Sequence, residues 1–242
     1  IFWFRRDLRL TDNPALLAAI ENSEELIAVF ILDERLIKQS GSKRLGYLEQ
    51  SLRALDASLA NKLHVMVGDQ VEVLNSLIKK YGANEVHISQ EFEPHGAALD
   101  ARVEASGIKL VRTGSPYAVA PGRVLKPSDA TPYRVYTPFY KGWCLHGWRK
   151  PVAAPKNLKL VTPDEADRNF ADWKVPEGYE VTKAGEAAAL ERWKEFKAGA
   201  LADYDTERNN AGVDGTSKLS AHLTWGEIHP RTLLADLGDS KA

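Results

Sequence analysis

The sequence lacks several features that particular protein classes need. It contains one cysteine, Cys144, in 242 residues, so no disulfide can form within the chain and a reducing compartment fits. No apolar run approaches the ~18–20 residues of a membrane span. Arg5 and Arg6 follow the apolar start of the chain, whereas a secretory signal carries its charges first. We therefore expect a cytoplasmic protein without a membrane segment.

The sequence also lacks a large excess of one charge and a recognisable metal-binding pattern. Lys plus Arg number 32 and Asp plus Glu number 33, so a DNA contact would have to come from a local patch. The six histidines form no pair at a helical ligand spacing, and no cysteine cluster exists, so we expect no metal site. The chain starts without Met and within the first strand-like run, and we expect a few residues to precede this numbering.

Strand-like and helix-like patterns alternate through the first half of the chain. Apolar runs typical of buried parallel strands occur at residues 1–4, 26–32, 63–67, 85–89 and 108–111. Between them, apolar residues recur at helical spacing, as at Leu45, Leu48, Leu52, Leu55 and Leu59. We predict an α/β fold with a five-stranded, parallel, doubly wound (Rossmann-like) sheet. Ligands of such sheets bind beyond the carboxyl ends of the strands, here the loops after Phe4, Leu32, Gly68 and Ser89. No Gly-x-Gly-x-x-Gly follows the first strand, which argues against an ordinary NAD site.

The regular alternation stops after Thr113. We predict an α/β domain over 1–150, a linker over 151–185 and the beginning of a helical domain over 186–242. Residues 114–155 are rich in Pro, Gly and aromatic residues, and we expect them to pack on the first domain because so many rings are unfavourable in water.

Residues 215–220 read GTSKLS and predict a phosphate-binding turn. Thr216 and Ser217 are good N-cap residues, and Gly226 can end the helix in the left-handed conformation. Free N–H groups and three hydroxyls at a helix start suit a phosphate or diphosphate. The alternative is a capped helix that binds nothing, which the six residues alone leave open.

Three stretches resemble the DNA photolyase and cryptochrome family, in the family's order. They are residues 3–14 (WFRRDLRLTDNP), residues 136–143 (YTPFYKGW), and the region 204–231 with Tyr204, Arg208, GTSKLS and GEIHPR. The similarity spans essentially the whole chain, but covers only about the first half of a family member. The resemblance implies a photolyase N-terminal domain followed by the truncated start of an all-α FAD-binding domain.

The resemblance also implies a cofactor and a substrate. Residues matching the family's FAD-binding positions are Tyr204, Thr216, Ser217, Lys218, Leu219 and Ser220. Arg208 matches an arginine used on the DNA backbone. Photolyases donate an electron from light-excited reduced FAD to a pyrimidine dimer flipped out of damaged DNA. No catalytic residue of the family falls within this chain, so we expect little repair by the 242 residues alone.

A second chromophore, the light-harvesting antenna, is implied in the α/β domain. Asp33, Arg44 and Glu91 are similar to positions around the antenna in deazaflavin-type members. Folate-binding members hold an Asn-Glu pair where this chain has His95 and Gly96, so a deazaflavin is favoured over a folate. His229 departs from the family pattern, where Ser often precedes Pro-Arg and would cap the following helix better.

Three functions remain open from the sequence. The leading one is a cyclobutane-dimer photolyase acting as a monomer on damaged DNA. The second is a cryptochrome-type blue-light photoreceptor without repair activity, and the third is a non-catalytic α/β nucleotide-binding module. Family resemblance alone does not decide between them, because activity depends on the site and not on the fold.

Overall fold

Five short strands form one parallel sheet in the computed structural model, which describes residues 1–179 and 181–238. Residues 239–242, the end of the predicted segment 186–242, lie outside the described residues, as does residue 180 of the predicted linker. The strands are β1 Phe2–Phe4, β2 Ala28–Leu32, β3 His64–Val67, β4 Val86–Ile88 and β5 Leu110–Arg112. Their order across the sheet is β3-β2-β1-β4-β5, with every pair parallel. The predicted five-stranded parallel sheet is confirmed.

Helices connect and follow the strands. In chain order they are α1 Pro14–Glu21, α2 Glu34–Gln39, α3 Ser42–Ser58, α4 Gln70–Tyr81, α5 Pro94–Ala105, α6 Tyr136–His146, α7 Glu186–Ala198, α8 Tyr204–Glu207, α9 Ser220–Trp225 and α10 Pro230–Leu237. Local sequence explains several of their ends. Asn13 caps α1 by accepting a hydrogen bond from the N–H of Leu16, and Asp69 caps α4 in the same way through the N–H of Val71.

Both faces of the sheet are covered, which is the doubly wound arrangement. Alternate residues of β1 point to opposite faces, so Phe2 and Phe4 enter one core and Trp3 enters the other. Helices α1 and α3 close the first core, whereas α4 and α5 close the second. The apolar run at the start of the chain is therefore buried on both sides, as the sequence predicts.

The predicted linker 151–185 is irregular but is tied to the α/β domain. Leu160 is buried in the first core and pairs as an isolated bridge with Leu26. Farther along, the N–H of Asn169 donates to the carbonyl of Val65, and Arg168 forms an ion pair with Asp56 at 2.7 Å. This segment packs along the surface of the α/β domain, which explains its polar composition.

The expected packing of the aromatic region 114–155 on the first domain is wrong for α6. No residue of this helix is buried, and Tyr136 is 72% exposed. Its rings instead stack on one another: Tyr136 on Tyr140, Tyr140 on Trp143, and Trp143 on Trp148. Mutual stacking removes part of the apolar surface from water without contact with the core.

The segment from α7 onward builds a small core of its own and docks on the α/β domain. Trp193, Phe196, Leu219 and Ile228 are buried together. Glu186, the first residue of α7, accepts hydrogen bonds from the N–H groups of Leu10 and Thr11. Helix α7 therefore begins directly against the loop that follows β1.

Candidate functional site

The GTSKLS segment is a loop that leads into a short helix. Helix α9 begins at Ser220, with Leu219 as its N-cap residue, so the expectation that Thr216 or Ser217 caps a two-turn helix is wrong. The reason is Lys218, whose φ of 53° places it in the left-handed region and interrupts the helix before it starts. The predicted end is confirmed, because Gly226 is left-handed at φ 66° and ψ 30°.

An arginine from α7 holds this loop by its backbone. Arg192 donates from Nη2 to the carbonyl of Thr216 and from Nε to the carbonyl of Ser217, both at 3.0 Å. Gly215 lies against α8, where a Cβ at this position would come within 2.8 Å of the Cβ of Glu207. The sequence motif did not indicate Arg192, because the tether spans more than twenty residues.

The tether leaves the donor groups of the loop unused. Among the described residues, no backbone N–H between positions 216 and 222 donates a hydrogen bond to the protein. The hydroxyls of Thr216, Ser217 and Ser220 also make no hydrogen bond to any residue that the structure describes. All three residues are at least partly exposed. A run of free N–H and O–H donors is what an oxyanion requires.

Tyr204 begins α8 and Arg208 directly follows it, and Glu207 of this helix lies against Gly215 of the loop. The Tyr204 ring packs edge-to-face on Phe196 at 5.9 Å between centroids and remains 40% exposed. The Arg208 guanidinium is half-exposed, and its nearest carboxylate is that of Asp205 at 3.8 Å. Such a long, solvated ion pair contributes little, so this guanidinium is available to another partner. Of the expected positions, Tyr204 and Arg208 are therefore exposed, whereas Leu219 is buried.

A second candidate site lies at the carboxyl ends of the strands, where the sequence predicts one. A cavity of about 280 Å³ is lined by Phe4, Arg6, Asp33, Gln70, Glu91, His95, Leu99 and Trp225, among others. Its lining is mostly apolar, with charged side chains around it. The loops after β1, β2 and β4 all contribute to it, together with the start of α4. Trp225 of α9 contributes as well, which the sequence did not indicate.

The two carboxylates expected near an antenna, Asp33 and Glu91, both line this cavity, but their pKa values are shifted in opposite directions. Asp33 accepts hydrogen bonds from Arg35 and from Gln70 Nε2, and these donors hold its pKa well below the usual range. Burial raises the pKa of Glu91, whose carboxylate makes no hydrogen bond within the described chain. Arg44 is exposed at the start of α3 and does not line the cavity, so its antenna role stays a prediction that the cavity does not support.

Gly96 packs against Glu91 in the loop after β4. A Cβ at position 96 would lie 2.7 Å from the Cβ of Glu91, so any larger residue would displace that side chain.

A buried polar cluster joins α9 to the α/β domain. Glu227 is fully buried and accepts hydrogen bonds from Tyr47 at 2.7 Å, from the His222 Nδ1–H at 2.6 Å and from the N–H of Gly185 at 2.7 Å. Burial, followed by the Glu227 charge, raises the pKa of Tyr47. The cluster fixes α9, and with it the loop 215–220, to α3.

A second buried cluster surrounds Asp12, which is fully buried. Asp12 Oδ2 lies 3.0 Å from Arg231 Nε and 3.1 Å from His229 Nδ1, and its Oδ1 lies 3.1 Å from Arg149 Nη2. His229 is also the N-cap of α10, because its Nδ1 accepts from the N–H of Arg231. Histidine thus replaces the capping function that the sequence analysis assigned to serine at this position.

No helix within residues 1–179 and 181–238 is long and apolar enough to cross a membrane. Across the same ranges, no three His, Cys, Asp or Glu side chains group in a way that would hold a metal ion.

Comparison with known proteins gives consistent matches. The model of the DNA photolyase family matches residues 1–156. A deoxyribodipyrimidine photo-lyase of Synechococcus sp. is 33% identical over 251 residues, covering 94% of this chain and 51% of the relative. A class III photolyase structure from Agrobacterium tumefaciens has a TM-score of 0.84 at 31% identity, covering 98% of this chain and 52% of its own. A Synechocystis sp. PCC6803 cryptochrome has a TM-score of 0.84 at 23% identity, covering 98% and 54%, which shows a shared fold alone. The chain spans about half the length of the deoxyribodipyrimidine photo-lyases it matches.

Proposed function

The chain belongs to the DNA photolyase family, and from that premise we propose that it is the N-terminal part of a light-driven, FAD-dependent deoxyribodipyrimidine photolyase. Its substrate is a pyrimidine dimer in damaged DNA. We also propose that the protein is a cytoplasmic monomer, as the sequence predicts.

One observation carries the proposal: the loop 215–220 presents unused donors on a fixed backbone. Arg192 binds the carbonyls of Thr216 and Ser217, so their N–H groups and hydroxyls are left for a ligand. Such an arrangement fits the diphosphate of a dinucleotide, because backbone N–H groups and hydroxyls bond its oxygens. In the family pattern these positions match the FAD-binding residues, and the unused donors support that assignment as a proposal.

The residues of this chain would position the cofactor, and FAD when bound supplies the light-driven electron. Thr216, Ser217 and Ser220 would bind its phosphates through their hydroxyls and N–H groups. Lys218 would contribute its backbone, since its Nζ is paired with Asp214 at 2.9 Å. Leu219 is buried in the helical core and anchors the loop. Tyr204, which is partly exposed, would contact the flavin.

Arg208 would bind DNA. Its guanidinium is half-exposed and weakly paired, so it can form a bidentate contact with a backbone phosphate at little cost. Because this contact is to the backbone, it would affect affinity for every DNA sequence alike.

The strand-end cavity would hold the antenna. Its apolar lining and flanking carboxylates, Asp33 and Glu91, suit a flat ring system with hydrogen-bond donors at its edge. His95 and Gly96 stand where folate-binding members hold an Asn-Glu pair, so a deazaflavin is the proposed chromophore.

Flavin retention by the full-length protein tests the cofactor site. The double variant Thr216→Val, Ser217→Ala removes two hydroxyls and should weaken FAD binding about tenfold or more, measured by flavin fluorescence. Arg192→Gln should have a similar effect by releasing the loop. The matched controls are Ser58→Ala and Arg134→Gln, both at exposed positions away from the loop. Unchanged FAD affinity in the double variant would refute the assignment of this loop.

Repair separates photolyase from cryptochrome. Illumination of the full-length, FAD-loaded protein with an oligonucleotide containing a thymine dimer should restore the intact thymines. Retained FAD without any repair would instead favour the cryptochrome-type photoreceptor. A protein that binds no FAD at all would leave the non-catalytic nucleotide-binding module.

A further inference from the structure

A second, larger cavity is open to solvent. It is bordered by the segment after β5, the turn after α6 and the start of α10, and has a volume of about 620 Å³. Three arginines line it, Arg123, Arg149 and Arg231, and none of its lining residues is acidic. It shares no residue with the strand-end cavity or with the loop 215–220. Its ligand would therefore be separate from both chromophores.

Arg231 is buried at the inner end of this cavity with most of its donors unused. Its side chain is only 5% exposed. The Nε donates to Asp12 at 3.0 Å, whereas Nη2 is fully buried and has no partner among the described residues. Nη1 also makes no hydrogen bond to the described residues. A guanidinium carries five N–H groups, and buried charged donors without acceptors are costly, so the site has unused capacity for an acceptor.

The charges around Arg231 do not balance. One carboxylate, that of Asp12, serves both Arg231 and Arg149. His229 does not offset the positive charge of the two arginines. Burial lowers its pKa, and its Nε2–H donates to the carbonyl of Ser115. Burial and the neighbouring charge of Arg149 lower the pKa of Arg231, in opposition to Asp12. With Arg123 at the exposed end, the cavity carries an excess of positive charge.

We propose that this cavity binds a small anionic molecule through a phosphate or carboxylate group. Arg231 and Arg149 would hold the group at the inner end, since a guanidinium donates two parallel hydrogen bonds to either oxyanion. Arg123 would add attraction at the mouth. Tyr117 and Trp148 also line the cavity, so the ligand has an apolar or aromatic body beside its charged group.

Calorimetric titration of the 242-residue chain tests the site with two probes, inorganic phosphate and benzoate. We expect one saturable site per chain for at least one probe, and the tighter probe identifies the preferred group. Arg123→Gln should weaken binding about three- to tenfold, because it removes a charged donor at the mouth. Arg134→Gln is the matched control, with the same charge change at an exposed position outside the cavity.

A crystal soaked in selenate locates the anion directly. An anomalous peak in contact with the Arg231 guanidinium supports the proposal. No saturable binding of either probe, equal weakening by Arg123→Gln and Arg134→Gln, or a selenate peak remote from Arg231 would each overturn it. Arg123 is exposed and its side chain makes no hydrogen bond or ion pair with the described residues, so its variant should fold normally, which circular dichroism verifies.

Discussion

Replacing Gly226 by alanine should separate α9 from the α/β domain. Gly226 ends α9 in the left-handed conformation, and its backbone lies directly on the loop after β1. A Cβ there would overlap the carbonyl oxygen of Arg6 and lie 2.8 Å from the Cα of Asp7. Both contacts are with backbone atoms, so no side-chain rotation can relieve them.

The expected cost has two parts that a second glycine separates. Gly82 ends α4 at φ 68° and ψ 29°, almost the same as the 66° and 30° of Gly226, but a Cβ there meets nothing within 4 Å. Gly82→Ala should therefore cost only the left-handed penalty, about 1–2 kcal/mol. Gly226→Ala adds the overlap, which must displace α9 and break two hydrogen bonds. These are Leu8 N–H to the carbonyl of Trp225, and Arg9 Nη1 to the carbonyl of Gly226.

Losing buried partners costs about 1–3 kcal/mol for each group, so the Gly226 variant should lose at least about 3 kcal/mol in total. Urea unfolding of both variants gives the difference in the free energy of unfolding. Hydrogen exchange at the Leu8 amide should accelerate in Gly226→Ala and stay unchanged in Gly82→Ala. Equal destabilisation by the two substitutions, with Leu8 still protected, would refute the argument that backbone contact at Arg6 fixes α9.

Three further substitutions or changes of condition test other contacts of the structure. Glu227→Gln should destabilise the chain by about 3 kcal/mol in urea unfolding, since one amide oxygen cannot replace a buried carboxylate that accepts from His222 and two other donors. Lowering the pH from about 6.5 should decrease the free energy of unfolding, because burial lowers the pKa of folded His229 and the unfolded chain then binds more protons. The slope of stability against pH should shrink in His229→Gln. Gly215→Ala should weaken FAD binding by the full-length protein about tenfold, because its Cβ would lie 3.0 Å from the carbonyl oxygen of Glu207 and shift the loop.

The sheet was predictable because its signal is local. Each strand is a short apolar run, and burial on both faces needs no long-range information. The strand order β3-β2-β1-β4-β5 could not be predicted, because similar apolar runs do not show which strands will pair. The exposure of α6 was missed for a related reason: aromatic composition indicates packing, but it does not say that Tyr140 and Trp143 pack on each other.

The candidate site was only partly predictable. The residue types of 216–220 indicate donors for an oxyanion, and those donors are indeed unused. Their conformation is set by Arg192 and by the left-handed backbone of Lys218, and neither effect leaves a local signature. Capping preference therefore placed the helix start at the wrong residue. Likewise, Asp33 and Glu91 reach one cavity because their strands end at the same edge, whereas Arg44 follows from the resemblance alone.

Helix α9 connects the two proposed chromophore sites. Ser220 at its first position belongs to the loop proposed for FAD, and Trp225 at its last position lines the cavity proposed for the antenna. Six helical residues span about 9 Å, so on these assignments the two sites lie at opposite ends of one short rigid element. Glu227 and Gly226 hold that element to the α/β domain, just beyond its end. The separation and orientation of the chromophores would then depend on these two residues, which contact neither ligand. A substitution at either one should change energy transfer from the antenna as well as stability, whereas Gly82→Ala should change stability alone.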